Sequence, residues 1–251
     1  MITVRRVDYQ INKNPILKDV NLHVRRGETV SVMGLSGSGK TTLLKIMAGL
    51  VRPTAGQVFI DQVDITRLAE NELNRVRQRI GVVFQYGALF DSLTVYENVA
   101  FALEHHTHLS RSEIDRIVEE KLTLVGLPGT QNLMPSQLSG GMQKRVSLAR
   151  AIAMDPEILF YDEPTSGLDP VMTTVIDDLI MSMRDKMGVS SVVVSHDLRS
   201  IFRISDRIAM LHQGTIIAYG TPDEIRDSYD ERVRQFVEGR AEGPIQPGVV
   251  A

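Results

Sequence analysis

Gly34-Leu35-Ser36-Gly37-Ser38-Gly39-Lys40-Thr41 carries the spacing G-x-x-x-x-G-K-[ST]. Glycines at these positions let successive backbone N–H groups turn toward one anion, at a helix N-terminus whose dipole also favours negative charge. Lys40 would neutralise β- and γ-phosphates, Thr41 would hold Mg²⁺ through its hydroxyl, and Thr42 continues the cradle into the helix. The flanks agree. Glu28–Met33 is a β-rich run entering the loop, and Leu43, Leu44, Met47 and Leu50 mark one face of the helix that leaves it. The chemistry implied is binding of a nucleoside triphosphate.

A second constellation is acidic. Ile158-Leu159-Phe160-Tyr161 is an apolar strand that delivers Asp162-Glu163 at its C-terminal end, where open α/β sheets bind ligands. Asp162 suits Mg²⁺ coordination at one remove, through the ion's bound water. Glu163 points elsewhere along the chain and suits a general base on an attacking water.

These groups must be positioned by an α/β framework. Strands are expected at Ile2–Val4, Val7–Tyr9, Leu17–Val24, Ile80–Phe84, Ser191–Ser195 and Arg207–Leu211, with a hairpin over Gly56–Asp64. A helical insertion follows from about Asp91 to Leu138. Its clearest helix opens on the capping box Ser110-x-x-Glu113, with Ile114, Ile117, Val118, Leu122 and Val125 at helical spacing. A second capping box, Thr221-x-x-Glu224, precedes a short helix and then another over Glu231–Glu238 that stops at Gly239. Glu242–Ala251 has two prolines and no period and reads as an extended tail. His105-His106-Thr107-His108 lacks a carboxylate anchor and reads as a solvated lead-in to the capped helix, not a metal site.

Composition narrows the class. The 251 residues are 43% hydrophobic and 24% charged, an ordinary globular balance. A net charge of -3 argues against a protein that coats nucleic acid. The absence of cysteine removes disulfides, Cys-ligated zinc, iron–sulfur clusters and thiol nucleophiles together. The N-terminus lacks the apolar segment of a signal peptide, and no apolar run approaches the roughly 18 residues of a membrane-spanning helix.

At Leu138-Ser139-Gly140-Gly141-Met142 the chain resembles the signature of ABC-type ATPases, and the family's other motifs occur in order. Gln85 resembles the Q-loop glutamine, Ser166-Gly167-Leu168-Asp169 the D-loop and His196 the H-loop histidine. The resemblance runs from about Ile2 to Gly220. It implies a P-loop NTPase core of the ABC type (residues 1–90 and 155–220), with an antiparallel β subdomain. A helical signature subdomain (about 91–154) and a C-terminal helical extension (221–251) complete the expected architecture. In that family the signature of one subunit closes over nucleotide held by another, so a homodimer is implied. Ser139, Gly140 and Gly141 would then meet the γ-phosphate, Gln85 would sense Mg²⁺ and the attacking water, and His196 would contact the γ-phosphate. Asp169 would position groups across the seam. Two positions depart from the pattern. Met142 stands where many members have glutamine, and Ile11 stands where an aromatic usually stacks on adenine, with Tyr9 on the core-facing pattern instead.

Tyr86–Asp91 places Ala88-Leu89-Phe90 just after Gln85, which suits either a groove for a partner's helix or lobe core. Phe84–Phe90, Leu133–Met142 and Val233–Pro244 resemble the ATPase subunits of bacterial Mla phospholipid-trafficking systems. That resemblance implies a peripheral position on the cytoplasmic face of the inner membrane. The implied partners are an MlaE-like permease, an MlaD-like lipid-binding protein and an MlaB-like STAS-domain protein, and the tail would dock on the other ATPase copy. Two other classes compete: a soluble ABC ATPase in DNA repair or cofactor assembly, and a clamp that binds ATP without turnover. The stretch between Gln85 and Ser139 is too short, and lacks the heptads, for the long coiled coils of repair members. Glu163 argues against the clamp.

Overall fold

The computed structural model describes residues 1–246, so Pro247 to Ala251, the end of the expected tail, lie outside the described residues. The chain divides into two compact units, residues 1–66 with 193 onward, and residues 67–192.

The first unit opens with β1 (Ile2–Ile11), β2 (Asn14–Val24), β3 (Thr29–Met33), α1 (Lys40–Met47), β4 (Ala55–Ile60) and β5 (Val63–Asp64). β1 is flanked by β2 and β4, antiparallel to both, and β5 closes on β4 as the hairpin pattern predicts. Val4, Val7, Leu17, Val20, Leu22 and Val58 are buried, the inward set of an alternating sheet. Tyr9 does not follow that set. The register shifts around Val7 and Tyr9, and Tyr9 is left half-buried.

The second unit contains α2 (Glu70–Arg77), β6 (Ile80–Val83), α3 (Val95–His106), α4 (Arg111–Leu124), α5 (Gly140–Ala151), β7 (Ile158–Asp162), α6 (Pro170–Met187) and most of β8 (Ser190–Val194). β6 runs parallel to β7, pairing Ile80 with Ile158 and Val83 with Tyr161. α4 begins at its capping box: Ser110 Oγ accepts from Glu113 N–H, and Glu113 Oε2 accepts from Ser110 N–H at 2.7 Å. α3 corrects the reading of the histidines. Thr94 and Glu97 form a further capping box, and His105 and His106 occupy the last turn of the helix it opens, with the His105 ring stacked on Phe101.

The chain returns to the first unit through α7 (Leu198–Ile204), β9 (Arg207–His212), β10 (Thr215–Gly220), α8 (Pro222–Arg226) and α9 (Glu231–Glu238). β3 and β9 are parallel, β9 and β10 antiparallel, and Ser195 N–H donates to Val32 O at 3.2 Å just beyond β8. α9 ends where Gly239 adopts a left-handed conformation.

The tail is not wholly extended. Ile245 is buried in a cluster with Met33, Ile201, Ile208, Met210, Ile225 and Val233. Gln235 holds it there with a reciprocal pair: Ile245 N–H donates to Gln235 Oε1 at 2.7 Å, and Gln235 Nε2 donates to Ile245 O at 2.9 Å. A lone apolar residue in a Pro/Gly-rich stretch has no period to announce its burial. Ile245→Ala is expected to cost about 2–3 kcal/mol, read as a lower urea midpoint at unchanged m-value.

Candidate functional site

Each unit carries part of the expected chemistry. In the first, the buried strand β3 ends at Met33 and the loop begins at Gly34 with φ 150°. A Cβ at Gly34 would stand 2.1 Å from Leu211 O, so the backbone passes where no side chain fits. At Gly39, φ 103°, a Cβ would meet Leu17 Cδ2 at 2.9 Å. Gly39 is also the N-cap of α1, which therefore starts without a side-chain acceptor for its first N–H groups. Lys40 folds back over the loop and donates to Gly34 O at 2.9 Å and Leu35 O at 3.0 Å. Ser38 Oγ is buried and has no hydrogen-bond partner among the described residues. A glycine cradle, an uncapped helix start, a lysine ammonium and an orphaned hydroxyl together fit a polyanion such as a triphosphate. Beyond the loop, Leu43, Leu44 and Met47 are buried as expected, but Leu50 is exposed because α1 stops at Met47 and the chain turns through Gly49.

Ile11 and His196 belong to this unit too. Ile11 closes β1 beside the left-handed pair Asn12-Lys13 and is 49% exposed, so it presents an aliphatic surface to solvent. His196 is exposed and follows Ser195, whose Oγ accepts from Asp197 N–H at 3.0 Å, and Asp197 caps α7.

In the second unit β7 is buried along its whole length and presents Asp162 and Glu163. Glu163 is 9% exposed and has φ 49°, a left-handed backbone that a non-glycine residue adopts at a cost on the order of 1 kcal/mol. Among the expected metal ligands, Thr41 offers a hydroxyl, Gln85 an amide oxygen and Asp162 a carboxylate, all hard oxygen donors that suit Mg²⁺.

Ser139 and Asp169 both cap helices. Ser139 Oγ accepts from Met142 N–H at 3.3 Å, with Gly140 and Gly141 as the first helical residues of α5. Asp169 Oδ1 accepts from Val171 N–H at 2.9 Å and Met172 N–H at 3.0 Å, and Pro170 sits at the first position of α6. Both caps are exposed.

Sequence reasoning missed one set of groups. Lys144, Ser147 and Arg150 lie three residues apart along one side of α5, and all three hold backbone carbonyls of the segment after β6. Lys144 Nζ donates to Gln85 O, Ser147 Oγ to Gly87 O at 2.9 Å, and Arg150 to Gly87 O at 2.8 Å and Ala88 O at 2.7 Å. Lys144 Nζ also reaches Glu163 O at 3.3 Å. Burial lowers the Lys144 pKa, and the Glu163 and Asp162 carboxylates oppose that fall. Gln85 and Glu163, 78 residues apart in the chain by their numbers, are thereby tied to one helix. Tyr86 and Phe90, on the same segment, are 84% and 44% exposed, so Ala88-Leu89-Phe90 is not packed away as lobe core.

The fold and these motifs define a nucleotide-binding cassette. The family model described as ABC transporter matches residues 17–166, and the chain belongs to that family. It is similar to the intermembrane phospholipid transport system ATP-binding protein MlaF of Haemophilus influenzae, at 42% identity covering 98% of this chain and 93% of the relative. MlaF of Escherichia coli K12 is 40% identical over 98% and 91% respectively. Among solved structures, the dimeric ATP-binding cassette MJ0796 bound to ADP and Pi matches with a TM-score of 0.82 at 36% identity, over 88% of this chain and 99% of that one.

Proposed function

We propose that this chain is the ATP-hydrolysing subunit of an ABC transporter that moves phospholipid between membranes, acting as a pair of copies on an integral-membrane permease. The observation that carries the transport reading is the 42% identity, over nearly the whole chain, to a subunit of an intermembrane phospholipid transport system. The phosphate loop's fit to a polyanion supports the ATP reading, and the similarity to the MJ0796 cassette, a dimer bound to ADP and Pi, supports the paired state.

In this reading residues 1–220 are the ATPase domain and residues 221 onward an appendage. The Gly34–Thr42 loop binds the triphosphate through backbone N–H groups and the Lys40 ammonium, and Ile11 contacts the base through aliphatic surface. Thr41, Asp162 and Gln85 would hold Mg²⁺, which would supply positive charge against the phosphates. Glu163 takes the proton of the attacking water, Gln85 orients that water, and His196 donates toward the γ-phosphate. Ser139, Gly140 and Gly141 of the second copy complete the γ-phosphate shell with a hydroxyl and helix N-terminal amides, and Asp169 orders the seam. The exposed Tyr86–Phe90 segment is the surface offered to the permease.

The partner set expected by resemblance, MlaE-like, MlaD-like and MlaB-like proteins on the cytoplasmic face of the inner membrane, is part of the proposal. Among the described residues no helix is long and apolar enough to cross a membrane. A pull-down of the tagged chain from detergent-solubilised membranes tests it. Copurification of an integral-membrane protein with phospholipid is the expected result. Recovery of only soluble partners would favour a repair or assembly ATPase.

A further inference from the structure

We infer that Lys144 is a positioning residue, whose ammonium ties the backbone of Gln85 to that of Glu163 and so makes the placement of both follow the helix that begins at Ser139. The inference rests on the proposed roles of Gln85 and Glu163 and adds to them the group that sets their geometry.

Three observations carry it. The side chain of Lys144 is withdrawn from solvent, with the residue 8% exposed, although lysine is strongly hydrated and seldom buried. Its ammonium joins two carbonyls from separate segments, Gln85 O and Glu163 O, the second of which also accepts from Ser166 N–H at 3.2 Å, so its removal breaks the link between the two segments. Elsewhere on the same side of α5, the Ser147 hydroxyl and the Arg150 guanidinium share Gly87 O. Lys144 differs from both in reaching a second segment, at Glu163 O. It stands where the Asp162 and Glu163 carboxylates act on it, and its charge acts on them in return. Lys144 and Ser139 also share one helix, so a movement of α5 that displaces the signature serine must carry the Gln85 and Glu163 backbones or break both bonds.

Two variants of the full chain separate positioning from packing. Lys144→Met keeps the approximate length and removes every donor, whereas Lys144→Gln restores a two-hydrogen donor without charge. ATP turnover is measured against ATP concentration, and ADP affinity by equilibrium titration. Lys144→Met is expected to lose at least about tenfold in kcat, with KM and the ADP Kd within about twofold of wild type. Lys144→Gln should recover kcat to within about threefold. A folded Lys144→Met with wild-type kcat overturns the inference. So does a loss carried by KM and Kd, or a Lys144→Gln no better than Lys144→Met. If Lys144→Met does not fold, Lys144→Arg replaces it: its fork keeps charge and donors but displaces them, and a fall in kcat of about threefold at unchanged Kd supports the role. An unchanged kcat in Lys144→Arg then counts against it. Glu163→Gln run in parallel keeps two failures distinct. If that variant turns over normally, the site reading fails; if it is inert while Lys144→Met is normal, only the Lys144 assignment fails.

Discussion

Glu163→Gln should bind ATP as the wild type does and hydrolyse it about a hundred- to ten-thousandfold more slowly, the range a positioned general base contributes. Glutamine preserves the volume of a residue that is 9% exposed and can occupy the same left-handed backbone, so the fold should tolerate it. What it lacks is a carboxylate to accept the proton of water. Because binding is spared and release of Pi is blocked, the variant should also accumulate as a nucleotide-loaded dimer. Single-turnover hydrolysis, ATP affinity in a titration and light-scattering mass together check this. Turnover at the wild-type rate would remove Glu163 from the role of base.

The second large effect divides two serially distant residues. Lys40→Ala should abolish nucleotide binding, because it removes both the charge on the phosphates and the ammonium that holds the loop carbonyls of Gly34 and Leu35. Ser139→Ala should leave binding to the single copy intact and prevent closure of the pair, cutting turnover to near background. Ser139 is also a helix cap, so its loss costs about 0.5–2 kcal/mol of stability on its own account. Ser139→Gly, which costs only a few tenths in the same position, controls for that. Binding affinity measured on dilute, monomeric protein separates the two variants. Equal losses of affinity in both would contradict a site shared between copies, as would turnover per molecule that stays flat on dilution into the monomer range.

The residues legible in the sequence are those whose chemistry is local. The phosphate loop is read from eight consecutive residues, and the structure adds the reason for its glycines: Leu211 O and Leu17 occupy the places of their side chains. Ser110-x-x-Glu113 and Thr221-x-x-Glu224 name helix starts because a capping box closes within four residues. The same signal, Thr94-x-x-Glu97, opens α3, and the histidines at the far end of that helix obscure it. The grip of α5 on the Gln85–Ala88 segment could not be read, because its acceptors are carbonyls, which every residue type possesses. Nor could the burial of Ile245, whose partner Gln235 lies across a turn with no apolar period. Tyr9 departs from its pattern for a different reason: alternation assumes an unbroken register, and the strand shifts beside it.

With Glu163 as the proposed base, its left-handed turn sets thermal robustness against turnover at one position. Glycine or asparagine would sit there with less torsional penalty, so a library ranked by heat resistance alone would enrich sequences that have discarded the carboxylate. Any campaign to harden this enzyme has to score product formation at every round.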